Sequence, residues 1–273
     1  MRSFIQTNDK GFALLGLSYP RENPNSTNKT MWLLKTDNEG NAQWNQTYGP
    51  NFIEYTGMIQ SDDGGFVFTS YNGDLIKTDA MGEIQWIKKV GGNLDSIIGT
   101  KDRGFALIGS RFDQTWFVKT DHLGNVEWNK TFRFNIEGDY IFHHNRSRIL
   151  NIIQSSDEGF ILTGSSIQNQ PKGFINDLNL WLVKTNINGD LEWNLEFKEK
   201  TFASIQAVIQ DKDEDLVLVG EKEHYTRLIK IDLPPFIKGD PTVGKTPFPQ
   251  IAFIFLVMSS IVLFGKKKRY TLA

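Results

Sequence analysis

WLLKTDNEGNAQWNQT (residues 32–47) returns as WFVKTDHLGNVEWNKT (residues 116–131), with DLIKTDAMGEIQWIKK (residues 74–89) midway between them. The step is 42 residues, and a fixed step of that size is the mark of a repeat architecture. A fourth copy, LWLVKTNINGDLEWNLEF, occupies residues 180–197. Upstream of each copy stands a second recurrent phrase. It reads FIQTNDKGFALLG (4–16), GMIQSDDGGFVFTS (57–70), SIIGTKDRGFALIG (96–109), NIIQSSDEGFILTG (151–164) and AVIQDKDEDLVLVG (207–220). Each phrase is a short apolar run, a polar turn and a second apolar run, which is the pattern of a β-hairpin.

One unit is therefore four strands, a to d in chain order. The c–d turns follow Asp-x-x-Gly (Asp37 with Gly40, Asp79 with Gly82, Asp121 with Gly124), or Asn-x-x-Gly at Asn186 and Gly189. Asp and Asn side chains bond the backbone early in such turns, and glycine supplies the left-handed residue near the end. The a–b turns, such as NDKG and KDRG, are read in the same way. Strands b and c are apolar on both faces, so each sheet expects neighbours on both sides. That predicts an all-β chain, a β-propeller of four-stranded blades. Its blades fall at about 4–49, 56–91, 95–133, 150–198 and 205–233. Four are complete. The fifth offers only RLIKIDLPPF (227–236) after its hairpin, and proline ends it before a fourth strand. A stacked sandwich or β-solenoid would use the same strands. All seven tryptophans fall in register on strands c and d, as packing residues do.

The repeat resembles that of uncharacterised archaeal and bacterial cell-surface propeller proteins. More distantly it is similar to quinoprotein-like propellers. The resemblance covers roughly residues 4–233 and implies the propeller fold, a surface location and a C-terminal anchor or sorting tail. It implies no particular activity. The absence of an N-terminal export signal and the short fifth unit depart from the family and are what missing upstream blades would produce; a complete five-blade ring is the other reading.

Composition narrows the classes. The chain of 273 residues is 39% hydrophobic and 23% charged, has no cysteine, and carries a formal charge of -2. The last 24 residues hold four cations and no acid, so the remainder has 26 cations against 32 anions. An acidic body of this kind excludes nucleic acid as partner. The tail is organised as a proline-rich stalk (234–249), an apolar segment (250–265) and a basic end (266–273). The segment Ile251 to Phe264 is expected to form a single transmembrane helix in the lipid bilayer. Its fourteen residues rise about 21 Å, short of a roughly 30 Å hydrocarbon core, and Lys266, Lys267, Lys268 and Arg269 snorkel to complete it. A buried core helix is the other reading of this run. Cations following the helix place the C-terminus in the cytoplasm and the propeller outside the cell membrane.

Length varies in the b–c and d–a connections, so that end is the expected binding face for a protein or glycan ligand. Its candidates are Tyr19, Arg21, Arg111, Asp113, His143, His144 and Tyr225. Sequons stand at Asn25, Asn28 and Asn145 in long loops, and at Asn45 and Asn129 in the repeated WNxT of strand d. DKDED (211–215) has the spacing of a calcium loop but lacks its glycine and later glutamate, and it coincides with an a–b turn. Adjacent histidines in a strand point to opposite faces, so His143 and His144 make no metal site by themselves. No metal site, cofactor or catalytic residue is expected. Strand a carries Gln6, Gln60, Gly99, Gln154 and Gln210 in equivalent places, where glycosidase propellers would need carboxylates. Glu54 and Asp95 are the nearest acids. The sequence thus points to a non-catalytic, membrane-anchored surface protein. An extracellular glycan hydrolase and a membrane-tethered cytosolic scaffold are the alternatives.

Overall fold

The computed structural model describes residues 3–18, 30–49, 55–111, 114–132, 148–168, 177–197, 204–222, 225–231 and 258–262. They form five antiparallel sheets, each of four strands in chain order. The first is β1 (Ser3–Gln6), β2 (Phe12–Ser18), β3 (Thr30–Thr36) and β4 (Ala42–Tyr48). The second is β5 (Tyr55–Gln60), β6 (Phe66–Ser70), β7 (Asp74–Thr78) and β8 (Ile84–Lys89). The third is β9 (Asn93–Gly99), β10 (Phe105–Arg111), β11 (Gln114–Thr120) and β12 (Val126–Phe132). The fourth is β13 (Arg148–Gln154), β14 (Phe160–Gln168), β15 (Asp177–Thr185) and β16 (Leu191–Phe197). The fifth is β17 (Ser204–Gln210), β18 (Leu216–Lys222), β19 (Tyr225–Ile231) and β20 (Met258–Val262). The chain divides into two compact units, Met1–Asn135 with three sheets and Ile136–Ala273 with two.

Within the first unit the sheets stack face to face, as residues apolar on both faces require. Phe66, Phe68 and Ile76 pack against Leu15, Met31 and Leu33 of the first sheet. The intervening Val67 and Leu75 face the other way, against Leu94, Leu107 and Val118 of the third. The strand-d tryptophans tie each sheet to the next. Trp44 stands edge-on to Phe66 at 5.8 Å, and Trp86 packs on Phe105 at 6.4 Å. Tyr48 donates its hydroxyl to the Gly82 carbonyl at 2.6 Å. Burial, then Glu83 and Asp79, push its ionisation far above the usual range, so it stays a donor.

The constant lysine of the KTD phrase is the least expected part of the core. Lys35, Lys77, Lys119 and Lys184 are each no more than 5% exposed. Each ammonium meets an aspartate of its own a–b turn: Asp9, Asp63 and Asp102 at 2.7 Å, and Asp157 at 2.8 Å. Each also donates to the carbonyl of the following threonine, at 2.7–3.0 Å. The last partner comes from strand d: Gln43, Gln85, Glu127 or Glu192. That residue reaches the lysine because it is itself the bulged residue of strand d. Lys35 pairs with Trp44 and Thr36 with Ala42, leaving Gln43 as the extra residue, and the same shift recurs in the next three sheets.

The lysine also explains the glycine of the a–b turn. A Cβ on Gly159 would stand 2.4 Å from the Lys184 ammonium and 2.2 Å from the Thr185 carbonyl oxygen. The expected left-handed residue is not this glycine but the one before it: Lys10, Gly64, Arg103, Glu158 and Glu214 have φ between 65° and 82°. The c–d turns match expectation. Asp37 accepts the N–H groups of Glu39 and Asn41, and Gly40 has φ of 90°.

Two further expectations need correction. The fifth unit does not lack its fourth strand, because Met258–Val262 pairs antiparallel to β19. Those residues form a strand in this structure where a membrane helix was expected, and among the described residues no helix is long and apolar enough to cross a membrane. The remainder of the 251–264 segment lies outside the described residues. A short apolar run has no periodicity that separates strand from helix, and the open edge of β19 offers unpaired N–H and C=O groups. The β14–β15 ladder also runs past the repeated phrases, as far as Gln168 opposite Asp177.

Lys77 has one carboxylate partner, whereas Lys119 has two, so removing an aspartate costs them differently. Asp63→Ala should lower unfolding free energy by about 2–3 kcal/mol, somewhat less than a fully buried pair because Asp63 is half-exposed. Asp102→Ala should cost distinctly less, since Glu127 remains at 2.8 Å, and Gln85→Glu should recover most of the Asp63→Ala loss. Urea denaturation of the four proteins decides this. The Lys35 bond, then those from Thr7 and the Gly11 N–H, hold Asp9 well below the usual carboxylate range. At Asp63, Asp102 and Asp157 burial opposes ionisation, but the lysine, hydroxyl and N–H bonds outweigh it. A depressed folded value contributes stability above the unfolded value and loses it as protons return. The melting temperature should therefore fall as pH drops below about 4, and Asp157→Asn should make that fall shallower.

Candidate functional site

Strand a ends at the a–b turn, and its last residue braces that turn. The Gln60 carboxamide donates to the Gly64 carbonyl at 3.0 Å and accepts the Asn8 N–H of the neighbouring sheet at 2.8 Å. In the second unit Gln210 repeats the arrangement. It donates to Glu214 at 3.1 Å and accepts the Ser156 N–H at 3.1 Å. Gln154 likewise donates to the Glu158 carbonyl. Gln60 and Gln210, which stand where an enzyme would place carboxylates, are thus turn braces and links between adjacent sheets, and Gln154 braces its own turn.

Gly99 breaks this row. Its position is fixed by the pairing of Gly99 with Phe105, which matches Gln60 with Phe66. A Cβ built on it would touch only Ile59, at 3.7 Å. A cavity of about 640 Å³ opens there, between the second and third sheets. Its floor is Ile59, Gly99 and Phe105, and Gln60, Asp62, Asp63, Lys77, Asp102, Arg103 and His122 are among its walls. Asp62, Arg103 and His122 are exposed at the mouth. Asp63 and Asp102 are already committed to Lys77 and Lys119, which keeps them ionised. The volume suits a small ligand or one side chain of a larger one.

This cavity lies at the a–b and c–d turns, the opposite end of the sheets from the expected binding face. Tyr19, Arg21, Asp113, His143 and His144 lie outside the described residues, as do Asn25, Asn28, Asn145 and Glu54. Arg111 ends β10 and Tyr225 begins β19, both at the b–c end. Asn45 and Asn129 are exposed on β4 and β12. DKDED forms a turn: Asp211 accepts the N–H groups of Asp213 and Asp215 and binds Lys230. Among the described residues, no three histidine or acidic side chains stand together as a metal site would need. No motif marks Asp62, Arg103 or His122. Their only signal in the sequence is the missing glutamine beside them.

No protein-family model matches the chain, and no curated protein matches it in sequence. Its fold was compared with solved structures. A protein of unknown function from Bacteroides caccae is 12% identical, with 81% of this chain and 90% of that one covered at a TM-score of 0.41. BamB from Moraxella catarrhalis is 12% identical, with 84% and 86% covered at 0.39. MPT-1, a GDP-Man-dependent mannosyltransferase from Leishmania mexicana, is 11% identical, with 82% and 81% covered at 0.41. Similarity at this level carries no conclusion about activity.

Proposed function

We propose that the chain is a non-catalytic binding module of β-propeller type, and that the cavity at Gly99 is its ligand seat. The observation that carries this reading is the single interruption of the glutamine row, which leaves a cavity of about 640 Å³ at the place where, in their own sheets, Gln60 and Gln210 bridge two turns. The acids of the repeated turns are engaged elsewhere. Asp9, Asp63, Asp102 and Asp157 neutralise buried lysines, and Asp37 and Asp121 cap turns. Such groups are held ionised, whereas a general acid must keep its proton near neutral pH. Binding on a rigid repeat scaffold is the use this chemistry supports.

We place the module at a cell surface. The support is the apolar run 251–264, the four cations that follow it, and the exposure of the sequon residues Asn45 and Asn129. The same run supplies β20, and a spanning helix and a fifth-sheet strand are mutually exclusive uses of Met258–Val262. A protein or glycan is the ligand class for a surface module.

The seat is tested by amide NMR of the full chain against a fragment library. Shifts should cluster at residues 60–63, 99–105 and 122 and disappear in Gly99→Gln. Shifts confined to the b–c loops, unchanged in that variant, would move the binding face to the other end. Deleting residues 250–273 separates the two uses of the tail. If the strand is the working state, the melting temperature falls by several degrees and fractionation is unchanged. If the anchor is, the protein leaves the membrane fraction with its melting temperature intact.

A further inference from the structure

We infer that the cavity at Gly99 is a seat for a primary carboxamide, one supplied by the ligand where the chain's own glutamine is missing. This rests on the cavity being the binding seat and names what it holds. The argument starts from the two complete copies of the arrangement. Gln60 and Gln210 each place a carbonyl oxygen on the N–H of the second residue of the neighbouring turn, Asn8 or Ser156. Each places its NH₂ on the carbonyl of the left-handed residue in its own turn, Gly64 or Glu214. One group of a ligand that accepts at one atom and donates at another would satisfy both, and a primary carboxamide does so with a single planar unit.

In the third sheet the equivalent groups are the Asp62 N–H and the Arg103 carbonyl. Both residues line the cavity, and among the described residues neither group has a hydrogen-bond partner. The turns themselves are intact. Arg103 has φ of 67°, close to the 65° of Glu214, and its N–H bonds Thr100 as the Glu214 N–H bonds Asp211. The backbone frame of a carboxamide site is thus present without the carboxamide. No side chain intrudes, because a Cβ at Gly99 meets only Ile59. The surroundings also choose between an amide and an acid. A carboxylate would set an anionic oxygen against the Arg103 carbonyl where a donor is needed, near Asp62, Asp63 and Asp102. A site made to hydrogen-bond one group rejects the isostere that cannot donate.

The chemistry is that of glutamine, either free or as a side chain of a partner polypeptide. The test is calorimetry and amide NMR of the full chain with three probes: L-glutamine, the blocked peptide Ac-Ala-Gln-Ala-NHCH₃ and its glutamate counterpart. The glutamine peptide should bind at least about tenfold more tightly than the glutamate peptide. Gly99→Gln should abolish binding and raise the melting temperature, because the grafted side chain restores the brace. The melting temperature of Gly99→Gln, read on the same samples, is the folding control, and Asn38→Gln, exposed on the first sheet away from the cavity, should bind as the unaltered chain does. Tight binding of L-glutamine itself marks a small-molecule ligand, and binding of the peptide alone marks a partner chain. Equal binding of both peptides, or binding that survives in Gly99→Gln, overturns the carboxamide. Fragments that enter the cavity without amide preference would sink this inference and leave the binding seat standing. An empty cavity in every screen would remove both.

Discussion

A lysine ammonium buried at the end of strand c is the constraint on which the sheets depend. A charge that deep is tolerated only where its donors are met and its charge is balanced. Meeting that condition fixes three other features. The turn must carry an aspartate two residues before the glycine, the glycine must have no Cβ, and strand d must bulge to bring in an oxygen. Lys184 shows all three together, with Asp157 at 2.8 Å, Glu192 at 2.9 Å and the Gly159 site closed to any side chain. The phrases GF, KTD and the residue before the strand-d tryptophan therefore form one unit of information, spread over 24 to 37 residues of chain from the turn aspartate to that tryptophan.

The fifth sheet shows what happens when that unit is edited. Asp215 stands at the glycine position, and Asp211 takes the place of the turn's Thr or Ser. Lys230 responds by pairing with both, at 2.8 and 3.0 Å, and its side chain is 33% exposed against 3–7% for the others. Asp211, then Asp215, raise its ionisation further. There is no bulge in the β19–β20 ladder, and Ser259 lies opposite Lys230 where the other sheets have tryptophan. Loss of the glycine, of the bulge and of the tryptophan go together because they serve one lysine. With the deep pocket gone, the fourth strand of this sheet no longer has to come from the local sequence, and a segment 27 residues further on pairs in its place.

Much of this was legible before any coordinates. The step of 42 residues, the hairpins and the c–d turns follow from composition and spacing, and the first unit stacks as its two-sided apolar strands require. The a–b turn was misread for a physical reason. Sequence shows that a glycine is needed, not whether the backbone or the space needs it, and here Lys184 and its equivalents take the space. The ladder beyond Ser165 was hidden because SSIQ (165–168) lies past the repeated phrase and shows no alternation of its own, although its partner DLNL (177–180) does alternate. The strand at 258–262 was hidden because its partner is known only from the fold. The lysine itself was visible in every copy, but charge reads as surface until three partners are seen around it.

A repeat makes its own exceptions informative. In a single-copy protein Gly99 would be one exposed glycine at the end of a strand, of no consequence. Here four other copies state what belongs there, and two of them show both hydrogen bonds it would make. The third sheet keeps the aspartate, the lysine, the bulge and the left-handed Arg103, so nothing structural has been relaxed around the substitution. Losing the brace exposes two backbone groups to water and removes a link between sheets, a cost with no gain in packing. A cost kept at one site, where the turn around it is unaltered, fits the proposed use of that site for binding.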